Sequence, residues 1–320
     1  MGDQRKLFLK LENLQPIGAF KLRGAYNKVA SLTNEERRRG VISYSSGNHA
    51  QGVAYAARAL GVKAIIVMPG NAPKNKLEAT AALGAEIVVV GPSSEERRLR
   101  AEELATEYGY AIVPPYNDEK IIAGQGTVGL EILEDLPNVE TVLVPVGGGG
   151  LISGVSAAIK LSKAEPRRLQ PGPSLGQSLL VQPKLVQPRL VQPRVKVIGV
   201  EPELASDARA SLRAGRIVSA SAEQVSQTLA DGLRTQSIGA INFEHIRDYV
   251  DDIVSVTEDE IREAMRALSA NAKTLAEPSG AVAVAAFLFH ADELPKTAIN
   301  VAVISGGNID PTLLAELGKR

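Results

Sequence analysis

The chain has 320 residues, and its 36 Lys and Arg residues balance 36 Asp and Glu residues, so the formal net charge is zero. This balance argues against a nucleic-acid-binding surface, and the absence of cysteine excludes disulfides and thiolate chemistry. The longest apolar run, GAVAVAAFLF at 280–289, is about half the ~20 residues that span a bilayer, and the N-terminus lacks a signal-peptide core. We therefore expect a soluble, cytoplasmic protein with neither a membrane nor a nucleic-acid partner.

Short β-branched runs alternate with helical patterns along almost the whole chain. Strands are predicted at 7–11, 41–44, 64–68, 86–90, 141–146, 195–200, 253–256 and 299–304. A helix is predicted to open at Lys21, and others near 49–60, 74–83, 94–108, 120–135, 151–163, 257–271 and 280–290. Near-continuous apolar strands separated by helices are typical of parallel sheets covered on both faces. We predict an α/β fold that binds ligands at the carboxyl ends of its strands.

The segment 166–194 interrupts this alternation. It ends in three tandem pentapeptides, LVQPK, LVQPR and LVQPR, at 180–194. A proline at every fifth residue is incompatible with a regular helix or a central strand. We interpret the segment as a low-complexity insertion without a catalytic role, and a basic Pro-rich partner motif is the alternative.

Lys21 stands where the first predicted helix opens. The apolar residues Leu22, Ala25, Tyr26, Val29 and Ala30 follow it at helical spacing. If Lys21 is buried, desolvation and the positive end of the helix dipole both disfavour its ammonium form. The neutral amine that results is the species that forms a Schiff base with an aldehyde, whereas an ordinary surface lysine is the simpler interpretation.

A turn rich in small and polar residues follows the predicted strand VISY. Its residues are Ser45, Ser46, Gly47, Asn48 and His49. Backbone N–H groups at such a strand-to-helix turn are a suitable seat for a carboxylate. Serine and asparagine at a helix start also serve as simple caps, so this turn alone does not decide its role.

Two glycine-rich turns follow later strands. The tetraglycine, Gly147, Gly148, Gly149 and Gly150, would let a phosphate approach the N–H groups of the next helix. It lacks the third glycine of the dinucleotide pattern and the Lys-Ser/Thr of a nucleotide P-loop, so it indicates a small phosphorylated cofactor. Ser305 precedes two further glycines after the last strand, a pattern that is also typical of a tight turn.

Seven motifs in register give the chain a specific resemblance. They are LENLQPIGAFKLRGA, SSGNHAQG, IAGQGT, PVGGGG, TLADG, EPSGA and SGGN. In this order they resemble the fold-type II pyridoxal-phosphate enzymes, closest to the threonine/serine dehydratases and serine racemases. The resemblance implies a two-lobed, tryptophan synthase β-like fold, with a small domain at 40–118 inserted into a large cofactor-binding domain of 1–39 and 119–320. It also implies a homodimer.

The resemblance implies roles for single residues as well. Lys21 would bind pyridoxal 5'-phosphate as a Schiff base and later take the α-proton, and Ser46 would be a second acid or base on the opposite face. The cofactor would be held by Phe20, Lys21, Asn48 at its phenolic oxygen, Gly147, Gly148, Gly149, Gly150, Gly232 and Ser305 at its pyridine nitrogen. The substrate would be held by Ser45, Ser46, Gly47, Asn48 and His49.

Ser305 at the ring nitrogen bears on the reaction. A serine leaves that nitrogen essentially neutral, so a carbanion at Cα is stabilised less and promptly expels a β-hydroxyl. We hypothesise β-elimination of L-threonine or L-serine to 2-oxobutyrate or pyruvate and ammonia, with the cofactor phosphate as acid. A serine racemase using Ser46, a 3-hydroxyaspartate dehydratase and a non-catalytic pyridoxal-phosphate-binding protein are the alternatives.

A metal site is implied by the sequence GVEPELASDA. Glu201, Ala205 and Asp207 match the spacing at which serine racemases and related dehydratases bind Mg²⁺ or Ca²⁺. Two carboxylates and a backbone carbonyl are suitable ligands for a hard cation. The alternative is that Asp207 caps the following helix while Glu201 pairs with a nearby base.

The ends of the chain depart from the family pattern. Family members usually carry some tens of residues before the lysine motif, whereas 20 precede Lys21 here. We expect this difference to affect stability, and we do not expect feedback control through a C-terminal regulatory module.

Overall fold

The computed structural model describes residues 5–45, 47–70, 72, 74–91, 93–162 and 195–317. The strands are β1 Lys6–Leu11, β2 Val41–Tyr44, β3 Ala64–Pro69, β4 Glu86–Val90, β5 Ala111–Ile112, β6 Thr141–Pro145, β7 Lys196–Pro202, β8 Asp252–Val256 and β9 Ile299–Ile304. The helices are α1 Lys21–Ala30, α2 Asn34–Arg39, α3 Asn48–Ala59, α4 Lys74–Ala82, α5 Ser94–Tyr108, α6 Glu119–Asp135, α7 Gly150–Leu161, α8 Asp207–Ala214, α9 Ala222–Ser226, α10 Ala240–Tyr249, α11 Glu258–Ala272, α12 Pro278–Phe289 and α13 Pro311–Leu317.

The described strands form two sheets in which every pair is parallel. One has five strands in the order β1-β9-β6-β7-β8, and the other has four in the order β4-β3-β2-β5. Strands β3 and β6 are buried along their whole length because helices cover the sheets. The α/β prediction is therefore confirmed.

The four-stranded sheet uses residues between 41 and 112 alone, and the five-stranded sheet uses the rest of the described strands. The domain boundaries at 40–118 and at 1–39 with 119–320 stay a prediction. The predicted insertion at 166–194 lies outside the described residues. No helix in the described part of the chain is both long and apolar enough to cross a bilayer.

Helix α6 packs so closely against α1 and α7 that its glycines contact their main chains. A Cβ atom on Gly124 would lie 2.6 Å from the carbonyl oxygen of Arg23, and one on Gly129 would lie 2.8 Å from that of Val155. Such contacts exclude any side chain larger than hydrogen, because a Cβ atom would meet rigid backbone. They fix the position of α1, and with it Lys21, relative to the helices of the five-stranded sheet.

Helix α3 packs on the first turn of α1. A Cβ atom on Gly52 would lie 3.2 Å from the carbonyl carbon and oxygen of Lys21. Since α3 follows β2, this contact brings the beginning of α3, next to the four-stranded sheet, close to the first residue of α1.

Candidate active site

Lys21 is the first residue of α1, as predicted. Its Nζ atom donates a hydrogen bond of 2.8 Å to the carbonyl oxygen of Pro115 and lies 5.2 Å from the centre of the Phe20 ring. Burial lowers the pKa of Lys21 from 10.5 to about 8, because the ammonium form loses its hydration. About a tenth of such an amine is neutral at pH 7, against well under a thousandth of an ordinary lysine.

The tetraglycine lies next to the residue that follows Pro115. A Cβ atom on Gly148 would overlap the ring of Tyr116, and one on Gly150 would lie 2.9 Å from the Cβ atom of Tyr116. Gly149 has a φ of +93° and precedes the first turn of α7, so its left-handed backbone favours glycine by itself. The packing of Tyr116 is thus one reason for glycine here, and phosphate binding stays a prediction.

A second series of contacts leads from the tetraglycine back to Lys21. A Cβ atom on Gly147 would lie 3.4 Å from the carbonyl oxygen of Gly232, whose own N–H donates to the Ser279 hydroxyl at 2.9 Å. The Ser305 hydroxyl donates to the carbonyl oxygen of Ser279 at 3.2 Å. The carbonyl oxygen of Ser305 accepts the N–H of Phe20 at 3.1 Å.

These contacts form a closed series, which we call the contact circuit. Its members are Phe20, Lys21, Pro115, Tyr116, Gly148, Gly147, Gly232, Ser279 and Ser305. It lies just past the carboxyl ends of the adjacent strands β6 and β9, where ligands bind in parallel sheets. Residues far apart in the sequence that were predicted to share one cofactor are therefore neighbours.

Asn48 joins the circuit through Glu277. Its Nδ2 atom donates to Oε1 of Glu277 at 2.7 Å, and the N–H of Glu277 donates to the carbonyl oxygen of Gly306 at 3.1 Å. Nδ2 of Asn308 donates to Oδ1 of Asn48, also at 2.7 Å. Burial, together with the charge of Asp231, raises the pKa of Glu277 from 4.5 to about 7.

The predicted substrate turn has open space above it. A Cβ atom on Gly47 would meet no atom within 4 Å, and the N–H of Gly47 donates to the Ser45 hydroxyl at 3.3 Å. Ser46 lies outside the described residues. The turn thus offers room beside Asn48 for a small ligand.

His49 belongs to this turn, but its imidazole is buried in the protein. Its Nε2 atom lies 3.0 Å from the carbonyl oxygen of Val113, which can only accept, so Nε2 carries the hydrogen. Burial, reinforced by the charge of Lys21, lowers the pKa of His49 to about 3. The imidazole is neutral and tied to the main chain, which leaves the backbone N–H as the group His49 offers to a carboxylate.

The acidic residues predicted to bind a metal lie at the end of β7, beside β6. Both Glu201 and Asp207 are buried, and burial raises the pKa of Glu201 well above its usual value and that of Asp207 to about 7. The carboxylate of Glu201 accepts the N–H groups of Ala208 at 3.1 Å and Arg209 at 2.9 Å. Glu201, rather than Asp207, thus caps α8, contrary to the alternative considered from the sequence.

Asp207 has a polar atom left over. Its Oδ2 atom is buried without a hydrogen-bond partner, and Ala205 next to it is buried too. An orphaned carboxylate oxygen beside a second carboxylate fits a divalent cation. Within the described residues no group of three or more His, Cys, Asp or Glu side chains is placed to hold a metal, so a cation here would need the Ala205 carbonyl as well.

Comparison with known proteins identifies the family. The family model described as "Pyridoxal-phosphate dependent enzyme" matches residues 2–306. The chain belongs to this family. Over 311 residues it is 46% identical to the L-threonine ammonia-lyase of Thermotoga maritima, a match covering 97% of this chain and 69% of that protein.

The names of other relatives in the family refer to L-threonine and to L-threo-3-hydroxyaspartate. The chain is 41% identical to the catabolic L-threonine dehydratase TdcB of Escherichia coli K12, over 98% of this chain and 85% of TdcB. It is 39% identical to the L-threo-3-hydroxyaspartate ammonia-lyase of Saccharomyces cerevisiae, over 98% of this chain and 86% of that protein.

Solved structures of the family share the fold. A threonine deaminase whose source is abbreviated T.th. superposes with a TM-score of 0.81 at 41% identity, covering 96% of this chain and 88% of that chain. Maize serine racemase superposes with a TM-score of 0.82 at 35% identity, covering 98% and 86%. The prediction of a fold-type II pyridoxal-phosphate enzyme is confirmed.

The residues of the contact circuit fit pyridoxal phosphate. Lys21 offers an amine whose pKa is lowered, the tetraglycine offers backbone N–H groups at the start of α7, and Ser305 offers a hydroxyl. A hydroxyl hydrogen rotates freely, so Ser305 can exchange its acceptor on Ser279 for a ligand atom.

Three residues of the site were given no role from the sequence. Glu277 and Asn308 lie in the motifs EPSGA and SGGN, and Tyr116 lies just before IAGQGT. The resemblance drew attention to both motifs. It did not show that Glu277 and Asn308 contact Asn48, or that Tyr116 contacts Gly148, because these partners are distant in the sequence.

Proposed function

We propose that this chain is a pyridoxal-phosphate-dependent ammonia-lyase that eliminates the β-hydroxyl group of L-threonine and L-serine. The names of its relatives, at 41–46% identity, support this activity. One observation carries the proposal: the desolvated amine of Lys21 lies in the same contact circuit as the Ser305 hydroxyl and the tetraglycine.

Lys21 is the base in this proposal. When bound, pyridoxal phosphate withdraws electrons from the α-carbon of an amino acid and so acidifies its α-proton. Lys21 would hold the aldehyde carbon of the cofactor, and its amine, once free, would take the α-proton. The lowered pKa serves this step, because a neutral amine near physiological pH accepts a proton that an ordinary ammonium group does not.

Ser305 directs the reaction toward elimination. Its side chain is a hydroxyl, which does not hold a proton on the ring nitrogen as a carboxylate would. Negative charge at Cα would therefore be stabilised less, and loss of the β-hydroxyl would compete well with reprotonation. The α-proton and the hydroxyl leave as water, and the released enamine takes water up again, giving 2-oxobutyrate or pyruvate and ammonia.

The turn at 45–49 orients the substrate. Its N–H groups at the start of α3 bind the substrate carboxylate, and the open space at Gly47 accommodates it. Ser46 is proposed as the second acid or base from the resemblance alone, because it lies outside the described residues.

The decisive experiment measures 2-oxo acid release by the purified protein loaded with pyridoxal phosphate. L-threonine, L-serine and L-threo-3-hydroxyaspartate are the substrates, and a chiral assay follows D-serine in parallel. We expect 2-oxo acid from L-threonine and L-serine, and none from Lys21→Ala, while Lys63→Ala at an exposed site stays fully active. D-serine without 2-oxo acid would identify a racemase instead, and no turnover of any substrate would refute the proposal.

A divalent cation at Glu201, Ala205 and Asp207 is a separate proposal. The unpartnered Oδ2 atom of Asp207 and the burial of both carboxylates support it. Mg²⁺ or Ca²⁺ there would favour the ionised forms that burial disfavours in both carboxyl groups, and so would stabilise the C-terminal end of β7 and the start of α8 beside the contact circuit. A homodimer in the cytoplasm completes the proposal, and light scattering after size-exclusion chromatography tests the dimer.

A further inference from the structure

The side-chain amide of Asn48 is held on both of its ends. Its Nδ2 atom donates to Oε1 of Glu277 at 2.7 Å, and its Oδ1 atom accepts from Nδ2 of Asn308 at 2.7 Å. The same Nδ2 atom of Asn308 also donates to the carbonyl oxygen of Ile17 at 2.8 Å. Asn308 thus donates both of its amide hydrogens to protein acceptors, whereas one Nδ2 hydrogen of Asn48 remains free to donate.

These partners fix which way round the Asn48 amide lies. Turning it over would place its oxygen against the Glu277 carboxyl group and its NH₂ group against the NH₂ group of Asn308. The exchange at Asn308 puts two NH₂ groups together at hydrogen-bond distance, at a cost that buried polar groups rarely bear, and the exchange at Glu277 puts two acceptors together whenever that carboxyl group is ionised. The nitrogen of Asn48 therefore stays on the side of Glu277.

Neighbouring glycine backbone closely confines the three side chains. A Cβ atom on Gly306 would overlap Oε1 of Glu277 and would lie 3.1 Å from Nδ2 of Asn48. A Cβ atom on Gly18, whose φ is +70°, would likewise overlap the side-chain amide of Asn308. Glu277 is 5% exposed, so water does not replace its contacts.

The three residues come from different parts of the fold. Asn48 begins α3, beside the four-stranded sheet, whereas Glu277 precedes α12 and Asn308 follows β9 of the five-stranded sheet. The pair Glu277 and Asn308 thus determines the orientation of a side chain supplied from the other sheet.

We propose that Glu277 and Asn308 are positioning residues that lock the Asn48 amide so that its second Nδ2 hydrogen is the donor offered to the phenolic oxygen of pyridoxal phosphate. This inference rests on the proposed function, in which Asn48 contacts that oxygen. Glu277 itself acts through Asn48 and touches neither the substrate nor the reacting atoms.

The electrostatics of Glu277 agree with this role. Its pKa is raised to about 7, mainly by burial, so the group is partly protonated near neutral pH. Asp231, which raises this pKa, is itself paired with Lys76 at 2.7 Å, and Lys76 acts on Glu277 in the opposite sense. A carboxyl group with a reduced charge accepts from Asn48 without strongly repelling a nearby phenolic oxygen.

A double-mutant cycle tests the proposal, with equilibrium dialysis and the visible absorbance of bound pyridoxal phosphate as readouts. We expect Glu277→Ala to weaken cofactor affinity about tenfold and to shift the absorbance maximum. In an Asn48→Ala background the same substitution should change affinity less than about twofold, because its effect passes through Asn48. An undiminished effect in that background, or no effect in the wild type, would refute the proposal.

Asn308→Asp gives a second, nearly isosteric variant should Glu277→Ala fail to fold. It removes the donor to Oδ1 of Asn48, so we expect a similar loss of affinity and again little further loss in the Asn48→Ala background. Glu103→Ala, at an exposed ion pair on α5, serves as the control that should bind like the wild type. Normal cofactor binding and turnover by the wild type keep the proposed function standing if this cycle fails.

Discussion

Lys21 and Pro115, 94 positions apart, are joined by a hydrogen bond of 2.8 Å from the side-chain amine to a backbone carbonyl. The next residue along from Pro115 is Tyr116, whose ring covers Gly148. One short segment therefore contacts both the amine and the tetraglycine. The distance between the two predicted cofactor anchors is thereby set by rigid neighbours.

The lowered pKa of Lys21 predicts how aldehyde capture depends on pH. Because the amine must be neutral, the rate of pyridoxal-phosphate capture by the cofactor-free protein should rise about tenfold from pH 7 to pH 9 and then level off. An amine with a pKa of 10.5 would rise about a hundredfold over the same range. Stopped-flow absorbance measures the rate, with N-acetyl-lysine amide as the matched model compound. A protein curve that runs parallel to the model compound would contradict the lowered pKa.

Gly148 has two proposed roles, which paired variants separate. Gly148→Ala alone should destabilise the fold by about 1–3 kcal/mol, because its Cβ atom overlaps the ring of Tyr116. Adding Tyr116→Ala removes that overlap, so the free energy of unfolding should partly recover. If the tetraglycine binds phosphate, the double variant should still bind pyridoxal phosphate more weakly than Tyr116→Ala alone. Equal affinity of these two variants would mean that Gly148 serves Tyr116 only.

Gly47 offers a test of the substrate turn. Gly47→Ala places a methyl group in open space, so we expect an unchanged melting temperature. The methyl group would nevertheless reduce the room above the turn, and the KM for L-threonine should rise about tenfold with a smaller change in kcat. Steady-state kinetics and calorimetry measure the two effects. A normal KM together with a lowered melting temperature would place the substrate elsewhere.

The metal proposal predicts a stabilisation by cations that depends on Asp207. Millimolar Mg²⁺ or Ca²⁺ should raise the melting temperature of the wild type, since ligands that bind only the folded state stabilise it. Asp207→Asn should abolish this gain, whereas Asp259→Asn, whose side chain is 94% exposed, should preserve it. An identical gain in both variants would mean that cations act elsewhere on the protein.

Much of the scaffold could be predicted from the sequence because its strands are buried runs between amphipathic helices. The predicted strands agree with the observed ones to within one or two residues, and α1 begins at Lys21 as its apolar stripe indicates. Helices α2, α9 and α10 and the two-residue strand β5 were not predicted. Helix α9 has only five residues and α10 begins without a side-chain cap, so neither gives a strong local signal.

The site itself was predictable only in part. Lys21, Asn48, Gly232 and Ser305 were singled out through the family resemblance of their motifs, and all four lie in or next to the contact circuit. The contact of Asn48 with Glu277 joins residues 229 positions apart, and no pattern in one sequence reveals such a pairing. The buried ring of His49 was missed for the same reason, since Val113 belongs to another segment.

The glycine contacts between α1, α6 and α7 have a consequence for redesign. With carbonyl groups only 2.6 to 2.8 Å from any added Cβ atom at Gly124 and Gly129, enlarging these positions would push α1 away from its neighbours. The amine of Lys21 would then move away from the position proposed for binding the cofactor, although none of the proposed cofactor-binding residues had been changed. Efforts to alter which amino acid is accepted should therefore leave these three helices untouched and concentrate on the half-buried residues Ser45, Gly47 and Asn48 of the proposed substrate turn.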